Sequence, residues 1–451
     1  MVRETVDGSG FAGWFAGALA VGAGIGALWV WDRRRRERNR RTDAEEERAQ
    51  ALEELAFSKG HGASSSVEGA PRRWSFHFVA KGGLSLIHFI GNRLHRDRDT
   101  RPRILLLHTS DSFVVRNDEK FVRGLFDTRA FVVKQFPRRA FAWNLVGLTF
   151  WTLRHIWRAQ GVFFRFVDYY AVIPAFFTSL LRKKLWIVLG GYDAHHLPRW
   201  NYGVYHTRLR AWCARYAVRR ATHLLPVHES LWDGWNTYID PPSRTGVKSL
   251  VPGIRARVHV VHNGFDSAFW RPDPTLERSR TVIVVAGIPA SLPQDAKART
   301  AHLKGIWLTL DVAHLLPDVQ FTLAGLDADI LSGGRTCPPN VTFAGYLAPG
   351  ELRRLYQRAK VYAMPSMTEG MPSSLADAML CECVPVGSNA NGIPLLIGDT
   401  GFIVEHPSPQ DWAAAIEKAL VAQTGPQARK RITAEFSMAR RFAALREVLS
   451  V

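Results

Sequence analysis

The residues of this chain best placed by type and spacing to do chemistry are Glu369 and Asp377. They bracket most of the run Pro365-Ser366-Met367-Thr368-Glu369-Gly370-Met371-Pro372-Ser373-Ser374-Leu375-Ala376-Asp377-Ala378-Met379. A flexible glycine, a proline suited to the first turn of a helix and small polar residues describe a loop that feeds a helix. The start of such a helix binds phosphate through its orphan amides and its dipole, so Gly370, Met371, Pro372 and Ser373 are candidate phosphate-site residues. Asp377 lies just over one turn into that helix with its side chain leaning back toward the amino end, which lets it share a pocket with Glu369. Two carboxylates beside a phosphate repel it, so their natural partners are hydroxyls. A nucleotide sugar has hydroxyls in its hexose and in its ribose. The competing readings are plain ones: a loop acid capping a helix for Glu369 and a surface helix acid for Asp377.

The elements that must hold this loop come in two series. Short apolar or β-branched runs alternate with helical stretches at residues 104–107, 131–133, 162–167, 185–189, 223–227 and 258–261, a pattern that predicts a doubly wound parallel sheet. After a proline-rich break at 271–274 a second series begins, at 282–285, 319–324, 341–343, 361–364, 384–386 and 401–404. The expectation is an α/β chain with two Rossmann-like domains, 101–270 and 271–425, facing across a cleft and followed by a C-terminal helix at 426–451. Ligands in such folds bind at the carboxyl ends of strands, here inside that cleft.

Composition narrows the partners. Among 451 residues the formal net charge is +19 and the pI about 10.2, which suits phosphate-bearing small molecules, an anionic bilayer or nucleic acid. No basic and aromatic nucleic-acid motif is present, so nucleic acid is not expected as a partner. Cys213, Cys337, Cys381 and Cys383 lack zinc spacing, and no metal site is expected from them. Asp327-Ala328-Asp329 has the form of a metal clamp but follows a strand and a glycine as an ordinary turn does. Residues 11–31 carry no charge and span roughly 30 Å as a helix, with Arg33 to Arg36 directly behind. This predicts a single-pass anchor with its arginine flank at 1–41 and the catalytic body on the cytoplasmic side. Residues 42–100 read as a charged stalk, a linker and an amphipathic segment. The first domain adds Arg138, Arg139, Phe141, Trp143, Phe150, Trp151, Arg154, Trp157 and Arg158, then Arg208, Arg210, Arg215, Arg219 and Arg220, basic ends around an aromatic middle that suit a surface pressed against anionic headgroups, the competing reading being a core helix of the first sheet.

Beyond these local arguments, the chain resembles glycosyltransferase family 4, also called glycosyl transferases group 1, which has the GT-B fold. The likeness is carried by Glu369, Asp377-Ala378-Met379, Cys381 and Pro385-Val386, continued by Asn391-Gly392-Ile393-Pro394 and Gly398-Asp399-Thr400-Gly401-Phe402. It extends to Val261-His262-Asn263-Gly264-Phe265-Asp266, Lys304-Gly305, Ala324-Gly325 and Phe436-Ser437 with Arg440. The resemblance implies a retaining, metal-independent hexosyltransferase with no cofactor. It implies Lys304 and Glu369 as catalytic residues, Asn263 and Gly264 near the donor, Asp377 on the ribose, and Asp193 and His195 on the acceptor side. With the membrane features, the expected acceptor is a lipid-linked sugar or glycolipid at the cytoplasmic face. Four departures stand out: Asp377 replaces the usual Glu, Ile288 the usual Arg, and Gly190 the usual His, while the stretch from Met379 to Pro385 is one residue longer. They favour the alternative of a catalytically inactive sugar-nucleotide-binding or membrane scaffold protein of the same fold.

Overall fold

The segments Ile104-Leu105-Leu106-Leu107 and Val282-Ile283-Val284 are apolar at every position, as in strands covered on both faces, and all seven residues are buried. In the computed structural model, which describes residues 101–109, 113–133, 138–331 and 336–450, they are inner strands of two parallel six-stranded sheets. The first sheet has the order β2-β1-β3-β4-β5-β8, with β1 at Arg103–His108, β2 at Asp127–Val132, β3 at Ala159–Arg165, β4 at Lys184–Leu189, β5 at His223–Pro226 and β8 at Arg257–Val258. A hairpin, β6 (Gly234–Asn236) and β7 (Ser243–Thr245), precedes β8 in the chain. The second sheet has the order β11-β10-β9-β12-β13-β14: β9 at Ser279–Val285, β10 at Gln320–Ala324, β11 at Val341–Gly345, β12 at Ala359–Met364, β13 at Val384–Ser388 and β14 at Phe402–Val404.

Both sheets are doubly wound, as the alternation predicts. Strand β2 starts earlier than its apolar residues indicate, at Asp127, because Arg103 on β1 pairs with that carboxylate at 2.5 Å and draws the polar half into register. An edge strand tolerates such residues since one side faces water.

In the first lobe α1 (Phe113–Leu125) links β1 to β2, and α2 (Arg138–Ile156), α3 (Val172–Leu180) and α4 (Arg208–Arg220) serve the next three crossovers. The strand order steps one way after β1 and the other way for the next three. Right-handed crossovers therefore put α1 on one face and α2, α3 and α4 together on the other. There α3 packs between α2 and α4. The second lobe contributes α5 (Gln294–Leu303), α6 (Ile306–Leu315), α7 (Pro349–Arg358), α8 (Ser373–Leu380), α9 (Ile393–Ile397), α10 (Pro409–Val421) and α11 (Gly425–Glu435). The C-terminal region holds two helices rather than one. After a break at Phe436-Ser437, α12 (Met438–Ser450) returns to the first lobe, where Phe442 stacks on Phe121 at 4.4 Å.

The expected localisation needs correction. Among the described residues no helix is long and apolar enough to cross a membrane, and the single-pass anchor with a cytoplasmic body is withdrawn. The segment 11–31 on which it rested, like the stalk at 42–100, lies outside the described residues. The most nearly span-length helix of the first lobe, α2 at 19 residues, buries Leu145, Leu148, Thr152 and Ile156 against its own domain.

One histidine ties this fold to pH. His223 on β5 lies between Trp186 at 5.9 Å and His259 at 5.6 Å, and the Nε2 atoms of both histidines are buried without a hydrogen-bond partner. Burial, with smaller contributions from His259, Arg257 and Lys184, pushes the His223 pKa down to about 4. The unfolded chain binds a proton here near pH 6.5 and the folded chain only near 4, so stability is lost as pH falls through that window. Thermal unfolding is expected to move to lower temperature between pH 6.5 and 4, and less steeply in His223→Phe. Equal slopes in both proteins would contradict this.

Candidate active site

The loop that carries Glu369 is built where β12 stops. Residues 365–372 leave the sheet and α8 begins at Ser373 with Pro372 at its cap position. No side chain caps this helix start, so its first amides face the cleft without a side-chain acceptor. Across from it, α5 ends at Lys304, and Gly305 turns the chain with φ 70°. A Cβ on Gly305 would lie 2.3 Å from the Pro365 carbonyl oxygen, so only glycine lets the two loops meet. Met367 N–H donates to Leu303 O at 2.7 Å, and Lys304 Nζ reaches Glu369 Oε1 at 2.5 Å. The two residues assigned the chemistry are thus in contact. Their side chains are 32% and 16% exposed, which leaves room for a ligand to approach the lysine.

The first lobe closes onto this loop through glycines and a polar network. Gly370 sits flush on the turn after β4: a Cβ there would lie 2.2 Å from Gly190 O, and one on Gly392 would lie 2.1 Å from Gly370 O. Gly190 has its own constraint, since the Phe166 ring occupies the space a side chain would need, 2.2 Å from the ideal Cβ. A histidine at this position would have to displace that ring. The imidazole that reaches the loop is His195: its Nδ1 donates to Gly191 O at 2.5 Å and its Nε2 faces the Thr368 hydroxyl at 3.0 Å. Burial lowers the His195 pKa, against the opposing pull of Gly191 O and Glu369, so the neutral ring is favoured. Thr368 also approaches Asn391 Oδ1 at 3.0 Å. Asn236 Nδ2 donates to Met367 O at 2.8 Å and to Asn391 Oδ1 at 3.3 Å, and Asn391 Nδ2 donates to Ser230 Oγ at 3.2 Å. Apolar contacts join the lobes beside it: Leu197, Ile239 and Leu303 cluster with Trp200, Tyr202 and Met367, and Trp200 stacks on His302 at 4.0 Å.

The other candidates are placed as follows. Asp377 has Asp266 as its charged neighbour, and burial first, then that like charge, holds its carboxyl well above the usual carboxylate range. Asn263 is already engaged on both sides of its amide: it accepts from Arg165 Nη2 at 2.7 Å and donates to Met371 O at 3.1 Å, so it braces the loop before α8. Gly264 faces α12, where a Cβ would lie 2.9 Å from Met438 Cα. Asp193 is buried, and its carboxylate accepts from the backbone N–H groups of Gly190, Gly191 and Val167 at 3.0 to 3.2 Å, fixing the turn on which Gly370 rests. Ile288 is buried, Lys297 is taken by Asp329, and Arg299 pairs with Asp295 at 3.0 Å along its own helix. Asp329 is thereby a lysine partner, in keeping with a turn. Asn236 and Arg165 give no signal in the sequence, because one asparagine in a hairpin and one arginine at a strand end are ordinary until the fold brings them against the loop before α8 or the Asn263 that braces it. Asn391, in contrast, lies in a motif that was legible.

This contact gives a prediction. Gly370→Ala is expected to keep the fold of each lobe but hold the cleft open, lowering turnover on the order of tenfold or more while the helix start remains intact. Steady-state kinetics and small-angle scattering of the variant check it, and an unchanged kcat would refute it.

Two six-stranded parallel sheets of this kind also form the fold of a solved glycosyltransferase from Rickettsia africae, with a TM-score of 0.52 at 11% identity, covering 77% of this chain and 98% of that one. Residues 298–421, which include Lys304, Glu369 and Asp377, match the family model described as Glycosyl transferases group 1. The chain is 29% identical over 212 residues to a D-inositol 3-phosphate glycosyltransferase of Mycolicibacterium vanbaalenii, covering 41% of this chain and 45% of that one. It is 22% identical over 174 residues to a phosphatidylinositol N-acetylglucosaminyltransferase component of Arabidopsis thaliana, covering 37% of each. It therefore spans less than half the length of these curated relatives. Over both lobes the fold is similar to that of Anabaena HepE solved with UDP and glucose, with a TM-score of 0.55 at 15% identity, covering 77% of this chain and 99% of that one.

Proposed function

We propose that this protein transfers a hexose from a nucleotide diphosphate sugar, with retention of configuration, to a lipid-linked sugar or glycolipid presented at an anionic membrane surface. The observation that carries the reading is the Lys304–Glu369 contact at 2.5 Å beside the uncapped start of α8. Without donor the two side chains neutralise each other. With donor bound, Lys304 and the free amides at the helix start turn to the diphosphate, whose charge grows as the sugar leaves. Glu369 is released to accept from hexose hydroxyls, which orients the anomeric carbon toward the first lobe. Asp377, whose carboxyl burial and then Asp266 hold above the usual carboxylate range, is the residue we assign to the ribose hydroxyls. Closure over Gly370 excludes water, which matters because hydrolysis competes with transfer. Retention follows from the family resemblance. The acceptor class is supported by the relative named for phosphatidylinositol and by the basic first lobe.

Lys304 and the helix start supply the positive charge on the leaving group, so no divalent ion is required in this reading. The test is release of UDP, GDP and ADP from a panel of nucleotide sugars, with and without lipid-linked and soluble acceptors, in buffer containing a chelator. Release with one nucleotide, stimulated by a lipid acceptor and unaffected by the chelator, is expected. No release above the rate without protein would favour the inactive scaffold that the Asp377, Ile288 and Gly190 departures suggest.

A further inference from the structure

Trp143, Phe150 and Trp157 recur at intervals of seven along α2 and the turn after it, which sets them in one stripe. They are 78%, 47% and 54% exposed. The stripe does not stand alone. Trp212 on α4 and Leu180 at the end of α3 are also large, apolar and exposed, and these helices form the single layer that covers one face of the first sheet. Side chains exposed on such a layer point away from the sheet, so the five residues belong to one outer surface.

The charge on that surface has one sign. Arg154, Arg158, Arg182, Arg208, Arg219 and Arg220 are all exposed. Between Asp127 and Glu229 the chain contains two carboxylates, Asp168 and Asp193. Arg210 clasps Asp168, and Asp193 is buried under backbone amides, so neither is offered to the arginines of this layer. The field is felt inside the layer as well: burial first, and then Arg154, Arg129 and Arg103, lower the pKa of His155.

We infer that the outer surface of α2, α3 and α4 is a docking face for an anionic lipid bilayer, with Trp143, Phe150 and Trp157 entering the headgroup layer and the surrounding arginines on lipid phosphates. The combination fits that partner in particular. Indole rings have an apolar body and a polar N–H, the form that settles at a lipid–water interface, and arginine stems can lie along apolar surface while the guanidinium meets phosphate. A single-stranded nucleic acid needs its bases stacked along a groove, whereas these rings stand on the ridge of a helix. The inference rests on the reading of a membrane-presented acceptor but not on the donor chemistry.

The test uses the full chain and vesicles of phosphatidylglycerol or phosphatidylcholine, with no nucleotide sugar present. Hydroxyl-radical oxidation of Trp143, Trp157 and Trp212 is expected to fall about threefold or more with phosphatidylglycerol vesicles and to stay unchanged with phosphatidylcholine. A variant combining Arg154→Glu, Arg158→Glu, Arg219→Glu and Arg220→Glu, and a second combining Trp143→Ser and Trp157→Ser, are expected to bind phosphatidylglycerol at least about tenfold more weakly, while donor hydrolysis is retained. Unprotected tryptophans, or variants that bind vesicles as the parent does, would overturn the docking face. So would protection of the same tryptophans by single-stranded oligonucleotide and not by vesicles. Vesicle binding with no nucleotide released from any donor leaves the docking face standing and removes the transferase reading.

Discussion

Glu369→Ala is expected to abolish sugar transfer while leaving the protein folded. The carboxylate makes an ion pair with Lys304 at 2.5 Å, and the lysine it leaves behind is about one-third exposed and can be hydrated. Exposed or half-exposed pairs of this kind are worth at most about 1 kcal/mol, so the unfolding transition should barely move. The effect on rate is of another size. A group aimed at the reacting sugar typically contributes about 3 kcal/mol to the transition state, on the order of a hundredfold in kcat. Glu369→Gln separates charge from hydrogen bonding: if hydroxyl positioning is the role, the amide should recover part of the rate. Turnover at the parent level in a folded Glu369→Ala protein would remove Glu369 from the chemistry.

The largest effect on stability is expected at Asp118 on α1. Its carboxylate is fully buried between two arginines, accepting from Arg165 Nη1 at 3.0 Å and from Arg441 Nε and Nη2, both at 2.6 Å. Burial works to raise the Asp118 pKa, but Arg441 and then Arg165 outweigh it and hold the group below the usual carboxylate range. Arg441 also donates to the carbonyls of Val261 and His262, and Arg165 donates to Asn263, which holds Met371. One carboxylate therefore pairs with both of the cations that tie α12, the first sheet and the loop before α8 together. Asp118→Ala leaves two buried guanidinium groups without a counterion, and breaking a buried pair from one side typically costs about 3 to 5 kcal/mol. Urea unfolding is expected to show a loss of that order, with turnover falling as the Arg165–Asn263 brace loosens. A loss below about 1 kcal/mol would mean that water or backbone carbonyls already satisfy both arginines. Replacing Asp118, Arg165 and Arg441 together by apolar residues is expected to recover part of the lost stability, since the unpaired charge carries most of the cost.

Local physics determined more of this protein than its low similarity to known chains suggests. Runs such as Ile104 to Leu107 read as buried strands because only a chain covered on both faces keeps four apolar residues in a row. The loop from Pro365 into α8 read as a ligand site because glycine, proline and small polar residues leave amides free at a helix start. Glu369 and Lys304 were named from sequence, and the fold joins them across 65 positions of chain. Tertiary structure alone decided what fills the spaces between the lobes. Gly190 was legible as a departure, but only packing shows the Phe166 ring in the space where a histidine would stand. Asp193 had the type and place of a site acid, yet three backbone amides converge on it, and no spacing rule foretells which donors a turn will aim inward. Lys297, a basic residue on the helix leading to Lys304, is held by Asp329, a partner 32 positions away. Asp118, Arg165 and Arg441 lie on three distant stretches, each an ordinary charged residue in its own surroundings. Sequence patterns report what a residue does to its neighbours along the chain, whereas charge pairing, desolvation and close backbone approach depend on distances that exist only after the chain has folded.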